Sequence, residues 1–197
     1  VDYLITNFYG GNSDWPQKNY AMVRDRTAAS EGFQFMMWDS EWSLGLNSNV
    51  SVNRLNDFRG IAEPYRDLRS SEEFRQLFAD RVHRHFFHDG VLTAANARER
   101  FDSVIAAVEP GLWGESGRWG DQHGSPPKNP VNHWTPEVNK IRNNYLPQRS
   151  QIVVNQFTSA GLYSNVAAVA WNQRGGTVSP FFDVTLSAPQ GTIYYTT

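Results

Sequence analysis

Residues 10–20 read GGNSDWPQKNY, and the strand-forming run YAMVR follows at 20–24. Turn formers crowd this stretch: Gly10, Gly11, Asn12, Ser13, Asp14 and Pro16. An ordinary loop uses those residues, but this one also carries Trp15 and places Asn19 at the mouth of a strand. A polar turn, DRTAASEG at 25–32, separates it from FQFMMWD at 33–39, a second aromatic and β-prone run. The pair predicts a β-hairpin that leaves an acidic loop and returns to its starting level at Asp39. Before the loop, DYLITNFY at 2–9 is apolar and aromatic, and fits a strand or a buried helix end equally well.

Beyond a polar loop around GLNSNVSVNRLND, the pattern turns helical. Phe74, Leu77, Phe78, Val82 and Phe86 recur at helical spacing, with Ser70 and Glu73 as a capping box and Gly90 as the stop. A second helix begins after Thr93 and ends at Pro110-Gly111, with Ala97, Phe101, Val104, Ile105 and Val108 as its apolar face. ESGRWGDQHGSPPKNP reads as irregular. A helix capped by Thr135, with Pro136 at its first position, is expected next, then a separate one over PQRSQIVVNQFTSAG with Gly161 past its end. The fold class expected is α+β, mainly α-helical, with the hairpin at the site and a short β-rich C-terminal segment.

Composition narrows the classes. The 197 residues allow one domain with a real core, and 40% hydrophobic content is enough to fill it. A net charge of −2 exerts no global pull on nucleic acid or an anionic membrane. Cysteine is absent, which excludes disulfides, a thiolate nucleophile and cysteine-bound metal. No apolar run approaches the ~20 residues of a membrane span. From about residue 163 the chain becomes charge-poor and β-prone, punctuated by RGG and APQG, so a domain 1–162 and a second segment 163–197 are expected. Val1 opens the chain with no leader, the expectation for a fragment of a larger protein.

Asp14 and Asn19 are five residues apart. Protein kinases use an acid and an asparagine at this spacing. The acid orients the attacking hydroxyl and takes its proton, and the asparagine helps hold magnesium on the phosphates. The hairpin would return a second acid, Asp39, to the same place, and a continued strand would put Glu41 on the face of Asp39. These hard oxygen donors suit Mg²⁺. Spacing alone is equally met by a turn aspartate, an asparagine opening a strand and an aspartate closing one. The kinase His-Arg before the acid and Phe-Gly after the metal acid are absent; Asn12-Ser13 and Ser40-Glu41 stand there.

Several strings, in order, carry a resemblance: NFYGGNSDWPQKNYAMVRD, GFQFMMWDSEWSLG, FADRVHRHFFHDGVLT, ESGRWGD, NYLPQRSQIV and GLY. Together, from about residue 2 to 163, they resemble the CotH (spore coat protein H) kinase family. The resemblance implies an atypical, secreted-type protein kinase that transfers the ATP γ-phosphate to hydroxyl side chains of secreted or surface proteins. It implies Asp14 as catalytic acid and Asn19 and Asp39 as ligands of Mg or Mn, with Glu41 beside them and Trp15 and Trp38 as packing that fixes the acids. A kinase also needs a lysine-bearing lobe over the nucleotide. Asp14 lies so near Val1 that this chain is expected to be the C-terminal lobe, inactive alone. The tail, VSPFFDVTLSAPQGTIYYTT, is similar to the start of the chitobiase/β-hexosaminidase C-terminal-type Ig-like module, which implies an extracellular or cell-envelope location in a bacterium. A C-terminal arm docked on the helical body is the other reading of that tail. The alternative function is a non-catalytic envelope or adhesion scaffold reusing the fold.

Three further patterns compete. His85 and His88, three apart on one helix with His83 nearby, have the types for zinc but lack a third ligand. Trp113, Trp119 and Trp134 fit a sugar-stacking surface or a packed loop. No G-x-S-x-G elbow accompanies the Ser, His and Asp residues.

Overall fold

The computed structural model describes residues 1–164, 166, 169–173 and 176–195. The 2–9 stretch is a helix, α1 (Asp2–Gly10), its Ile5, Phe8 and Tyr9 buried in the core. The hairpin forms as expected: β1 (Tyr20–Arg24) pairs antiparallel with β2 (Phe33–Met37), with Tyr20 opposite Met37. Four helices follow: α2 (Glu63–Leu68), α3 (Glu72–Phe86), α4 (Ala94–Val108) and α5 (Leu112–Trp119). Then come α6 (Thr135–Lys140) and α7 (Leu146–Ser159). Two two-residue strands, β3 (Ala170–Trp171) and β4 (Leu186–Ser187), pair antiparallel in the tail. The fold is α+β and mainly helical. Arg174 and Gly175 of the expected RGG turn, and the last two residues of the TIYYTT pattern, lie outside the described residues.

One core holds the helical part together. Phe8, Phe78, Phe86 and Phe157 from α1, α3 and α7 meet edge-on, joined by Val82, Val153 and Leu162. Asp2 ties the start of α1 to α3 through Arg81 and through His85, 3.2 Å away.

Several local expectations are corrected. The α3 cap is Ser71, whose Oγ accepts the Phe74 N–H at 3.3 Å; Ser70 Oγ instead donates to Asp67 O. Its end is Phe86, where Phe87 turns extended, well before Gly90. Gly90 is needed for closeness: a Cβ there would lie 2.4 Å from His85 O. Thr93 does cap α4, accepting from Asn96 N–H, but Val104 and Val108 on its expected apolar face are about half exposed. The segment after Gly111 is helical, as α5 and a 3-10 turn. Thr135 is not a cap. The helical run starts at Pro130, with Asn129 Oδ1 accepting the Asn132 N–H, and continues through 159. Two π turns, Pro130–Trp134 and Ile141–Tyr145, keep it continuous. Each closes with an N–H reaching back five residues, Thr135 to Pro130 O and Leu146 to Ile141 O, immediately before a proline. The wider turn shifts the ladder where Pro136 and Pro147 offer no N–H and would crowd the preceding turn.

Candidate functional site

The acidic loop starts from the C-terminus of α1, and two residues of the long helical run fix that end. Arg149 is fully buried and donates to four carbonyls: Phe8 (2.5 Å), Tyr9 (2.8 Å), Val50 (2.6 Å) and Val52 (2.8 Å). Tyr145 OH donates to Tyr9 O at 2.8 Å. No carboxylate pairs with Arg149 among the described residues, so carbonyl dipoles at the negative end of α1 balance its charge. Burial pushes the guanidinium below its ordinary value. Gly11 then turns the chain at φ 62°, where a Cβ would lie 2.5 Å from Val52 Cγ1. Only glycine meets both conditions.

From Gly11 the loop is stitched at each step. Asn12 is buried; its Nδ2 donates to Asn7 Oδ1 and its Oδ1 accepts the Asp14 N–H at 3.1 Å. Ser13 donates to Trp42 O through both N–H and Oγ, and Leu44 N–H donates to Gly10 O. The segment after Asp39 is thereby sewn to the loop holding Asp14. Trp15 is buried against Tyr3 and Phe8, and its Nε1–H donates to Tyr3 OH at 2.8 Å.

At the hairpin mouth, Asn19 joins the two acids. Its Nδ2 donates to Asp14 Oδ2 and, at 3.2 Å, to the main-chain carbonyl of Asp39. Lys18 Nζ lies 3.2 Å from Asp14 Oδ1. Asn19 (φ 60°) and Asp39 (φ 48°) both adopt the left-handed conformation, which asparagine and aspartate tolerate better than other side chains. Each sits one or two residues outside the paired strands, so the register carries Asp39 back beside Asn19.

Asp14, Asn19 and the Asp39 backbone therefore meet, while the Asp39 carboxylate is exposed. Glu41 stands differently. β2 stops at Met37, so strand alternation does not set its side, and it lines a shallow depression with Ser43, Leu44, Glu137 and Ile141. Trp38 is 62% exposed and does not pack as Trp15 does. The oxygen donors of Asp14, Asn19 and Asp39 fit a small hard cation, which takes one or two carboxylates plus phosphate oxygens and water.

Sequence reasoning missed Arg149, Tyr145 and Arg54. Both Tyr145 and Arg149 fall in the quoted NYLPQRSQIV string, but nothing in the string says that an arginine goes inside. Arg54, whose Nη2 donates to Trp15 O at 2.7 Å, lies in the segment that reads as a polar loop. Among the described residues, no group of three or more His, Asp or Glu could hold a metal, and His85 is turned to Asp2.

The family model described as CotH kinase protein matches residues 1–153. The chain belongs to the CotH kinase protein family. The CotH match contains the loop, the hairpin, α1 to α6 and the first part of α7 with Arg149, and stops before β3 and β4. No curated protein and no solved structure matches the chain. Among the described residues of this CotH protein, no helix is long and apolar enough to cross a membrane.

Proposed function

We propose that this chain carries the catalytic acid and metal-binding residues of a CotH-type protein kinase, which transfers the γ-phosphate of ATP to hydroxyl side chains of secreted or surface proteins. The observation that carries the reading is Asn19 bridging Asp14 and Asp39 at the hairpin mouth. In this reading Asp14 orients the acceptor hydroxyl and accepts its proton. The hydroxyl oxygen bonds to the γ-phosphorus as the bond to the β–γ bridging oxygen breaks, and ADP leaves. Asn19 and Asp39 hold Mg²⁺ or Mn²⁺, which when bound neutralises charge on the phosphates. Lys18, beside Asp14, contributes positive charge at the same mouth. Glu41 lines the depression beside Ser43 and Leu44, and the proposal does not depend on it. Membership of a spore coat family supports a surface location. Residues 163–197 are proposed to belong to an Ig-like β module of the chitobiase C-terminal type.

The test is transfer of labelled phosphate from ATP to a hydroxyl-bearing protein by the full-length protein. Asp39→Ala is expected to lower transfer by at least about 100-fold, in line with loss of a metal-holding or charge-stabilising group. Transfer by Asp39→Ala at the wild-type rate would refute the reading.

A further inference from the structure

Asp14 lies between two carbonyls held by one side chain. Arg54 Nη2 donates to Trp15 O at 2.7 Å and to Ser13 O at 3.4 Å, one on each side of the acid. The same nitrogen meets Asp57 Oδ2 at 2.7 Å, and the Arg54 side chain is only 18% exposed. The grip continues along the segment. Ile61 N–H donates to Pro16 O at 3.2 Å, and Arg59 Nη1 donates to Gln17 Oε1 at 3.0 Å. Gly60 (φ 52°) lies so close that a Cβ would come 2.6 Å from Pro16 O. Residues 54–61 thus form a cradle under the acidic loop, built from side-chain and backbone contacts to residues 13–17.

We infer that Arg54 is a positioning residue for Asp14, holding the loop through the Ser13–Asp14 peptide before the acid and the Trp15–Pro16 peptide one residue after it, while Asp57 holds the guanidinium in place. The inference rests on the reading of Asp14 as the proton-accepting acid. Nη2 has two N–H groups for three acceptors, so the 2.7 Å contacts to Trp15 O and Asp57 Oδ2 are the principal bonds and the 3.4 Å contact to Ser13 O is a weaker, shared one. Displacing a reacting group by about 1 Å costs on the order of 100-fold in rate. Loss of Arg54 is therefore expected to act on turnover more than on KM for ATP, because its contacts are to the loop that carries Asp14.

Arg69 supplies a matched control. It holds the same segment, through Leu55 O and Asn56 Oδ1, and stacks on Phe58 and Tyr65, but it touches nothing next to Asp14. In the full-length protein, with labelled ATP, we expect Arg54→Ala to lower kcat by about 10- to 100-fold with KM for ATP within about twofold. Arg69→Ala is expected to keep wild-type kcat at a comparable loss of thermal stability. Arg54→Lys, which retains charge and length, is expected to fall between wild type and Arg54→Ala, and stands in for it should the alanine variant not fold. Wild-type kcat in both Arg54 variants, or an equal loss of kcat in Arg54→Ala and Arg69→Ala, would overturn the inference and leave the acid's role standing. A wild-type protein with no phosphate transfer would overturn both together.

Discussion

Arg149 shows how one residue fixes the geometry of a loop several residues away. Four carbonyls at the end of α1 and around Val50–Val52 face its guanidinium in the interior. Arg149→Met would remove a donor from all four, although Tyr9 O keeps Tyr145 OH, Phe8 O keeps the Gly11 N–H and Val52 O keeps Gln156 Nε2, and we expect a loss of about 1–3 kcal/mol in urea unfolding, the range for leaving a buried polar group unsatisfied. Asp57 is the residue whose titration bears on the loop. The Arg59 guanidinium, followed by the opposing effect of burial and the attraction of Arg54, leaves its carboxyl below the ordinary carboxylate range. A carboxyl lowered by folding stabilises the folded state above its unfolded value, and the contribution disappears as pH falls through the folded one. Stability followed by thermal melts is therefore expected to drop below roughly pH 5, and Asp57→Asn should remove part of that acid-side slope.

The helices separate what periodicity encodes from what it does not. α3 was legible because Phe78, Val82 and Phe86 recur at helical spacing and all three are buried. Its cap was misplaced by one residue, because Ser70 and Ser71 are chemically alike and only backbone direction decides which oxygen faces the Phe74 N–H. Ser71→Ala should cost about 1 kcal/mol, and Ser70→Ala a few tenths, in chemical denaturation; equal losses would count against the assigned cap. On sequence, 135–161 divides into two helices, one capped by Thr135 with Pro136 at its first position and one opening at Pro147. Neither proline breaks the run, since each follows a π turn, and a π turn has no residue signature of its own.

At the scale of the whole molecule, burial is uneven. The body buries aromatic residues from α1, α3 and α7, while the hairpin leaves Met22, Val23, Phe33, Phe35 and Met36 more than 40% exposed. Phe33→Ser is therefore expected to change unfolding free energy by less than about 0.5 kcal/mol, whereas Phe78→Ala, at a fully buried site, should cost about 3–5 kcal/mol. Equal effects in differential calorimetry would contradict this division. The sequence by itself determined the hairpin, the acid and asparagine five residues apart, the family resemblance and most helical stretches, because these depend on local spacing and residue type. Only the tertiary structure decided that Asn19 bridges Asp14 to the Asp39 backbone and that Arg54 and Arg149 hold the loop. Those facts depend on contacts between residues up to 141 positions apart, as in the Arg149–Phe8 bond. An arginine on a helix has the same local pattern whether it faces water or four buried carbonyls; which one it meets is set by how the helices pack.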